Sequence, residues 1–134
     1  MPTTDTTWEL QKSAYAALTG DTTLAAMVSG VFSHVPQDTA FPYIKFNNIR
    51  SRDWSTKTTS GIEATVQLNV FSRTRGNKES LNIIAEIKRI LHGVSLSLTG
   101  CTLVSIYFTD SGVAQLSDGI TWQSYISFDA FVHI

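Results

Sequence analysis

The sequence predicts an α+β fold: an antiparallel sheet of about four strands in two hairpins, one long helix packed on one face, and one or two N-terminal helices. Three observations predict it. Trp122, Ser124, Ile126, Phe128, Ala130, Val132 and Ile134 alternate with Thr121, Gln123, Tyr125, Ser127, Asp129, Phe131 and His133, a period of two that marks a strand with two unlike faces. Ile62, Ala64, Val66, Leu68 and Val70 alternate in the same way with Glu63, Thr65, Gln67, Asn69 and Phe71. Between them, Leu81, Ile84, Ala85, Ile87, Lys88 and Leu91, widened by Ile83 and Ile90, form the broad stripe of a helix lying across a sheet.

At the N-terminus, Thr6-Thr7-Trp8-Glu9 has the spacing of a capping box, and the helix it opens runs to Gly20. Asp21 caps a second, short helix carrying Leu24, Met27 and Val28, which Gly30 stops. Val31 to Val35 is a short extended stretch, and the loop Pro36 to Pro42 follows, because each proline removes a donor and restricts its predecessor. Tyr43 opens a strand reaching about Arg52, the polar run Asp53 to Ser60 turns, and Gly61 leads into the strand Ile62 to Ser72. Eleven extended residues span roughly 35 Å, so one end of this hairpin is expected to project beyond the core. Asn77 is the expected N-cap of the helix Lys78 to His92, and His92 is expected to meet the helix's negative end. Thr102 to Thr109 reads as the third strand, Asp110 to Gly119 as a turn region, and the rest as the last strand. The order is ααβ-ββ-α-ββ. A long aromatic strand at a chain end is an aggregation hazard unless it is paired or covered.

The 134 residues are read as one domain, 1–134, large enough for a hydrophobic core without metal or disulfides. A lone cysteine, Cys101, precludes an intrachain disulfide framework and fits a reducing compartment. Met1 to Asp5 lacks the basic and apolar features of a signal peptide, no apolar run approaches membrane-spanning length, and a cytosolic, membrane-free protein is expected. Net charge is −1, which argues against a nucleic-acid binder, yet it is unevenly spread: residues 45–89 carry +5 and the remainder −6. Such a split suits either ordinary surface composition or a polarised subunit that orients against unlike partners.

The residues point away from catalysis. No glycine-rich phosphate loop and no G-x-S-x-G elbow occurs. His34, His92 and His133 stand in separate elements with no i, i+4 partner, so neither a metal nor a cofactor is expected. Asp110 and Asp118, beside Ser111, Gly112, Ser117 and Gly119, read as turn formers rather than paired acid–base carboxylates. Trp54, in a polar flap after Arg50 and Arg52, has the setting of an interface hot spot; a ring folded back on its own sheet is the competing reading, and both stay open. For Arg73 and Arg75 a solvated turn is favoured over an ion pair to a neighbour.

Four stretches in order carry a resemblance: Phe41-Pro42-Tyr43-Ile44; Val70-Phe71-Ser72-Arg73 with Gly76 and the helix to Leu91; Asp110; and Asp118-Gly119-Ile120-Thr121-Trp122 leading to Ile126-Ser127-Phe128. Together, from about Trp8 to Ile134, they resemble the small tail completion proteins of long-tailed bacteriophages, also called tail terminators or head-to-tail joining proteins, found too in prophages and phage-like gene transfer particles. An insertion present in larger relatives is missing. The resemblance implies a non-enzymatic virion protein forming a homo-oligomeric ring, usually a hexamer, at the head-proximal end of the tail. Such a ring stops polymerisation of the tail tube protein and docks the filled head through its connector or head-completion protein. It implies assembly in the bacterial host cytoplasm, with DNA only passing through the lumen.

For such a ring, the 43–72 hairpin or the terminal strand is expected to supply one side of a heterologous contact. Trp54 would anchor it, and Arg50, Arg52, Lys57, Arg73 and Arg75 would meet acids or partners next door, away from the pore. The alternative is a small ligand- or nucleic-acid-binding α+β module using Phe46, Tyr107 and Phe71 as a stacking surface. Near-neutral charge and the lack of a ribonucleoprotein-type aromatic motif count against it.

Overall fold

The computed structural model describes residues 5–134; the run 1–4, part of the stretch read as lacking a secretion signal, lies outside them. The elements are α1 (Thr6–Thr19), α2 (Thr22–Ala25), β1 (Val31–Phe32), β2 (Tyr43–Asp53), β3 (Gly61–Ser72), α3 (Lys78–Leu91), β4 (Thr102–Gln115) and β5 (Trp122–His133). β3, β5 and the helix α3 between them are where the periodicities put them. The sheet has five strands in the order β1-β2-β3-β5-β4, and it is mixed rather than wholly antiparallel, because β1 runs parallel to β2 through Val31↔Ile44. Two residues are too short to display a period, so the sequence showed an extended stretch there without showing its partner.

The terminal strand is not at an edge. β5 lies between β3 and β4, which removes it as a donor of unpaired backbone and answers the aggregation hazard. Pairing of β3 with β5 runs unbroken from Gly61↔His133 to Ser72↔Trp122. The helices cover one face of this centre. Leu10, Ala14 and Leu18 of α1 and Ile83, Ile84, Ile87 and Leu91 of α3 pack on Val66, Leu68, Val70, Ile126 and Phe128 in one buried cluster. Among the described residues, no helix is long and apolar enough to cross a membrane.

Several boundaries differ from expectation. The N-cap of α1 is Asp5, whose Oδ1 accepts from the Thr7 amide at 2.9 Å and the Trp8 amide at 3.4 Å. Glu9 does not complete a capping box; it accepts from Lys12 Nζ (3.0 Å) and the Thr99 amide (3.2 Å), tying α1 to the loop after α3. Asp21 caps α2 as expected, accepting from the Leu24 amide at 3.0 Å, although the helix is a single turn. Asn77 precedes α3 but makes no side-chain capping bond.

The largest correction concerns β4. It continues through Asp110, Ser111 and Gly112 to Gln115, with bulges at Leu103/Ser105 and Phe108/Asp110 that let turn-prone residues stay in an edge strand. Only Asp118 is a turn former: its carboxylate accepts from the Ile120 and Thr121 amides, both at 2.9 Å, and from the Thr121 hydroxyl at 2.7 Å. His92 does not serve the helix terminus either. Its Nδ1 accepts from the Phe108 amide (3.0 Å), and Gly93, turning at φ 70°, donates its amide to the Ile106 carbonyl (2.7 Å). The end of α3 is thereby stitched to the outer edge of β4.

Candidate interaction surface

Among the described residues, no helix or strand covers the face of the sheet opposite the helices, and its side chains alternate with the core residues along every long strand. At one end lies an aromatic group. The Trp54 ring rests 4.8 Å from Phe131 and stacks on His133 at 5.3 Å, while Tyr107 stacks on Phe131 at 5.9 Å. The middle of the face is polar: Thr65 donates to Asp129 (3.0 Å), and Asn47 donates to Gln67 (2.6 Å). At the other end Tyr43 stacks on Phe71 at 5.3 Å and meets Phe41 at 5.1 Å.

The six residues singled out in sequence do not gather into one patch. Arg50, Arg52, Trp54 and Lys57 sit at the end where β2 turns into β3, whereas Arg73 and Arg75 follow Ser72 at the opposite end. With Arg50 level with Thr65 and Arg52 level with Glu63, the two groups lie on the order of 25–35 Å apart along the sheet. Arg52 is engaged within the chain, its Nε and Nη2 donating to Glu63 Oε1 at 2.9 and 2.7 Å. Arg73 covers the Phe41 ring at 4.3 Å and donates to Thr121 Oγ1 at 3.0 Å. Arg50, Lys57 and Arg75 are exposed. Trp54 is 38% exposed, so its ring divides between its own sheet and solvent. The stacking trio of the alternative reading is also divided: Phe46 is buried beneath the helices, and Tyr107 and Phe71 lie near opposite ends of the open face.

Among the described residues, the carboxylates that are shifted sit at caps and ion pairs. Hydrogen bonds from the Thr121 and Ile120 amides and the Thr121 hydroxyl hold the Asp118 carboxyl down at about 2. The Leu24 amide and then the Arg89 guanidinium lower Asp21. Burial pushes the Cys101 thiol up, away from nucleophilic reactivity. Among the described residues no group of three or more His, Cys, Asp or Glu side chains is placed to hold a metal ion. An apolar cleft of about 440 Å³ lies between α1 and β1, lined by Trp8, Tyr15, Val31, Phe32 and Phe46 among others.

What sequence reasoning missed are the strand edges. β1 covers β2 only at Ile44 and Lys45, and among the described residues the remainder of β2, through Asp53, has no strand neighbour on that side. β4 is the opposite edge, covered at Ile106 and Phe108 by Gly93 and His92. No local signal marks an edge, since which strands lie inside is decided by pairing between distant segments.

The family described as tail completion protein gp17 matches residues 12–133. No curated protein sequence matches this chain. A chain in the solved virion of a native gene transfer agent (GTA) particle superposes with a TM-score of 0.90 at 22% identity, over 98% of this chain and 100% of that one. A second solved chain, 14% identical, superposes with a TM-score of 0.53 over 92% of this chain and 91% of its own. These two likenesses show the fold. The family match, spanning nearly the whole sequence, shows that the chain belongs to the tail completion protein gp17 family and is a structural tail protein.

Proposed function

We propose that this chain caps the head-proximal end of a tail tube as a closed ring, halts addition of further tube protein, and presents the surface on which the filled head docks. The observation that carries the reading is the family match from residue 12 to 133. The fold supports it, because a ring requires two different patches on each subunit, and this sheet has two unlike open edges on opposite sides. Six copies, the number usual in proteins of this kind, would form the ring. The subunit works by presenting surfaces rather than by chemistry, with no cofactor.

The basic residues fall at both ends of the sheet, Arg50 and Lys57 at one and Arg75 at the other. With strands running roughly along the ring axis, these ends would face different partners, one the last tube layer and the other the connector of the head. DNA would pass through the lumen without being held, and assembly would take place in the cytoplasm of the bacterial host. Electron microscopy of particles made without the chain tests the proposal. Overlong tubes and unattached heads are expected; normal-length tails joined to filled heads would overturn it.

A further inference from the structure

We propose that the ring closes by β-augmentation: the unpaired part of β2 in one subunit pairs antiparallel with the unpaired part of β4 in the next, in a single staggered register. The proposal rests on the capping function above and names the contact that would build the ring. The two open segments differ in length by one residue, 46–53 of β2 and 109–115 of β4, and apart from buried Phe46 both are largely exposed. Their directions also fit. Within the sheet β2 and β4 point opposite ways, since β2–β3, β3–β5 and β5–β4 are each antiparallel. Rotation about a ring axis leaves that relation unchanged, so the neighbour's β4 arrives antiparallel to β2, the stronger pairing mode.

Side-chain chemistry selects the register. Opposite residues in an antiparallel pair share a face, and a slip of one residue would exchange the faces. Setting Arg50 opposite Gly112 of the next copy puts Arg52 opposite its Asp110 and Ile49 opposite its Val113. Arg52 and Asp110 both lie on the open face, level with Glu63 and Ser127. Ile49 and Val113 both lie on the helix-covered face, level with Val66 and Ser124. Asp110 is the one charged residue in 102–115, and it meets a segment whose basic residues are Arg50 and Arg52. One register thus pairs opposite charges on one face and half-buried aliphatic side chains on the other.

The same register forces a stagger. Within a subunit Arg50 lies level with Tyr107, through Thr65 and Asp129. Gly112 is five residues further along β4, of which the bulge at Phe108/Asp110 absorbs one. Neighbours are therefore offset by about 13 Å along the strands, at ~3.3 Å per residue. Four strands at ~4.8 Å make a repeat about 19 Å wide. Bringing equivalent points to one height then tilts the strands by about 35° from the ring axis, within the range that closed barrels adopt. A flush, unstaggered contact would give no such tilt. His92 and Gly93 forbid it by occupying β4 at the level of Arg50.

The test uses Ser51 and Ser111, which face each other in this register. Particles are assembled with a C101S chain carrying S51C and S111C, and oxidised directly or bridged with a short bis-maleimide. A ladder of covalent multimers is expected from the double variant, and none from either single variant, because a heterologous contact never brings a residue to its own copy. Particles that contain the chain but give no ladder, or S51C chains that link to themselves, would overturn the proposal. Hydrogen exchange on the unsubstituted chain decides independently of whether the variant assembles. Amides in both 46–53 and 109–115 should slow on the order of tenfold or more on incorporation; protection of neither segment, or of only one, would overturn it. Correctly capped tails without these signals would remove edge pairing alone, whereas normal tails made without the chain would remove the capping function itself.

Discussion

The central strands and the outer strands of one sheet obey different rules. β3 and β5 pair without a register shift over their full length, and their inward residues Val66, Leu68, Val70, Ile126 and Phe128 are all but inaccessible. β2 and β4 are bulged, and most of their length beyond the core is exposed. A strand with a partner on both sides gains from regularity, and its apolar face carries the stability of the fold. A strand with one open side must instead avoid unwanted partners, and bulges and charges serve that end. Burial is thus concentrated in the middle of the sheet, and unpaired backbone is left at its margins.

Substitution in the centre should have the largest effect. Phe128→Ala empties a fully buried ring site, and a loss of about 3–5 kcal/mol is expected from chemical denaturation. A loss under about 1 kcal/mol would mean the centre is no better packed than the margins. Trp54→Ala tests the border between the two regions. Its contacts with Phe131 and His133 predict a cost of about 1 kcal/mol to the isolated chain. An unchanged melting temperature with impaired assembly would instead make Trp54 an interface anchor.

Acid sharpens the contrast at the β4–β5 turn. The Asp118 carboxyl is depressed in the folded chain to about 2, so its contribution is complete above the unfolded value near 4 and is lost as pH falls from there towards 2. Melting temperature should therefore fall less steeply over that window in Asp118→Asn than in the parent; equal slopes would show that the turn carboxylate does not couple to folding. The smallest effect on folding belongs to the edge. Asp110→Lys should leave stability within about ±0.5 kcal/mol, as exposed substitutions do, yet impair assembly by meeting Arg52 with like charge. A marked drop in melting temperature would place Asp110 among the folding residues instead.

The contrast also explains what could be read in the sequence. Alternation over Ile62 to Phe71 and Thr121 to Ile134 was legible because each of these strands buries one face. The helical stripe was legible for the same reason at Ile83, Ile84, Ile87 and Leu91, whereas Leu81 and Ala85, counted in it from the sequence, are exposed. β4 beyond Thr109 was not, since Asp110, Ser111 and Gly112 carry turn chemistry and no core face overrides it. The charge split and the six candidate residues were visible, but their separation to two ends of a sheet follows from strand length and order. Strand order is set by contacts between segments far apart in the chain, so the interior place of β5 left no local mark. The same limit hid the role of His92, sixteen residues from the amide it accepts.

That histidine has a consequence for the fate of misassembled copies. Long bare margins invite growth into endless ribbons, because every added copy presents the same margin again. His92 and Gly93 plug the middle of one margin with bonds that an intruding segment would first have to break. Level stacking is thereby penalised without any cost to the offset approach. In the staggered contact proposed above, a two-residue patch at the end of a helix would bar the level stacking from which a fibre grows.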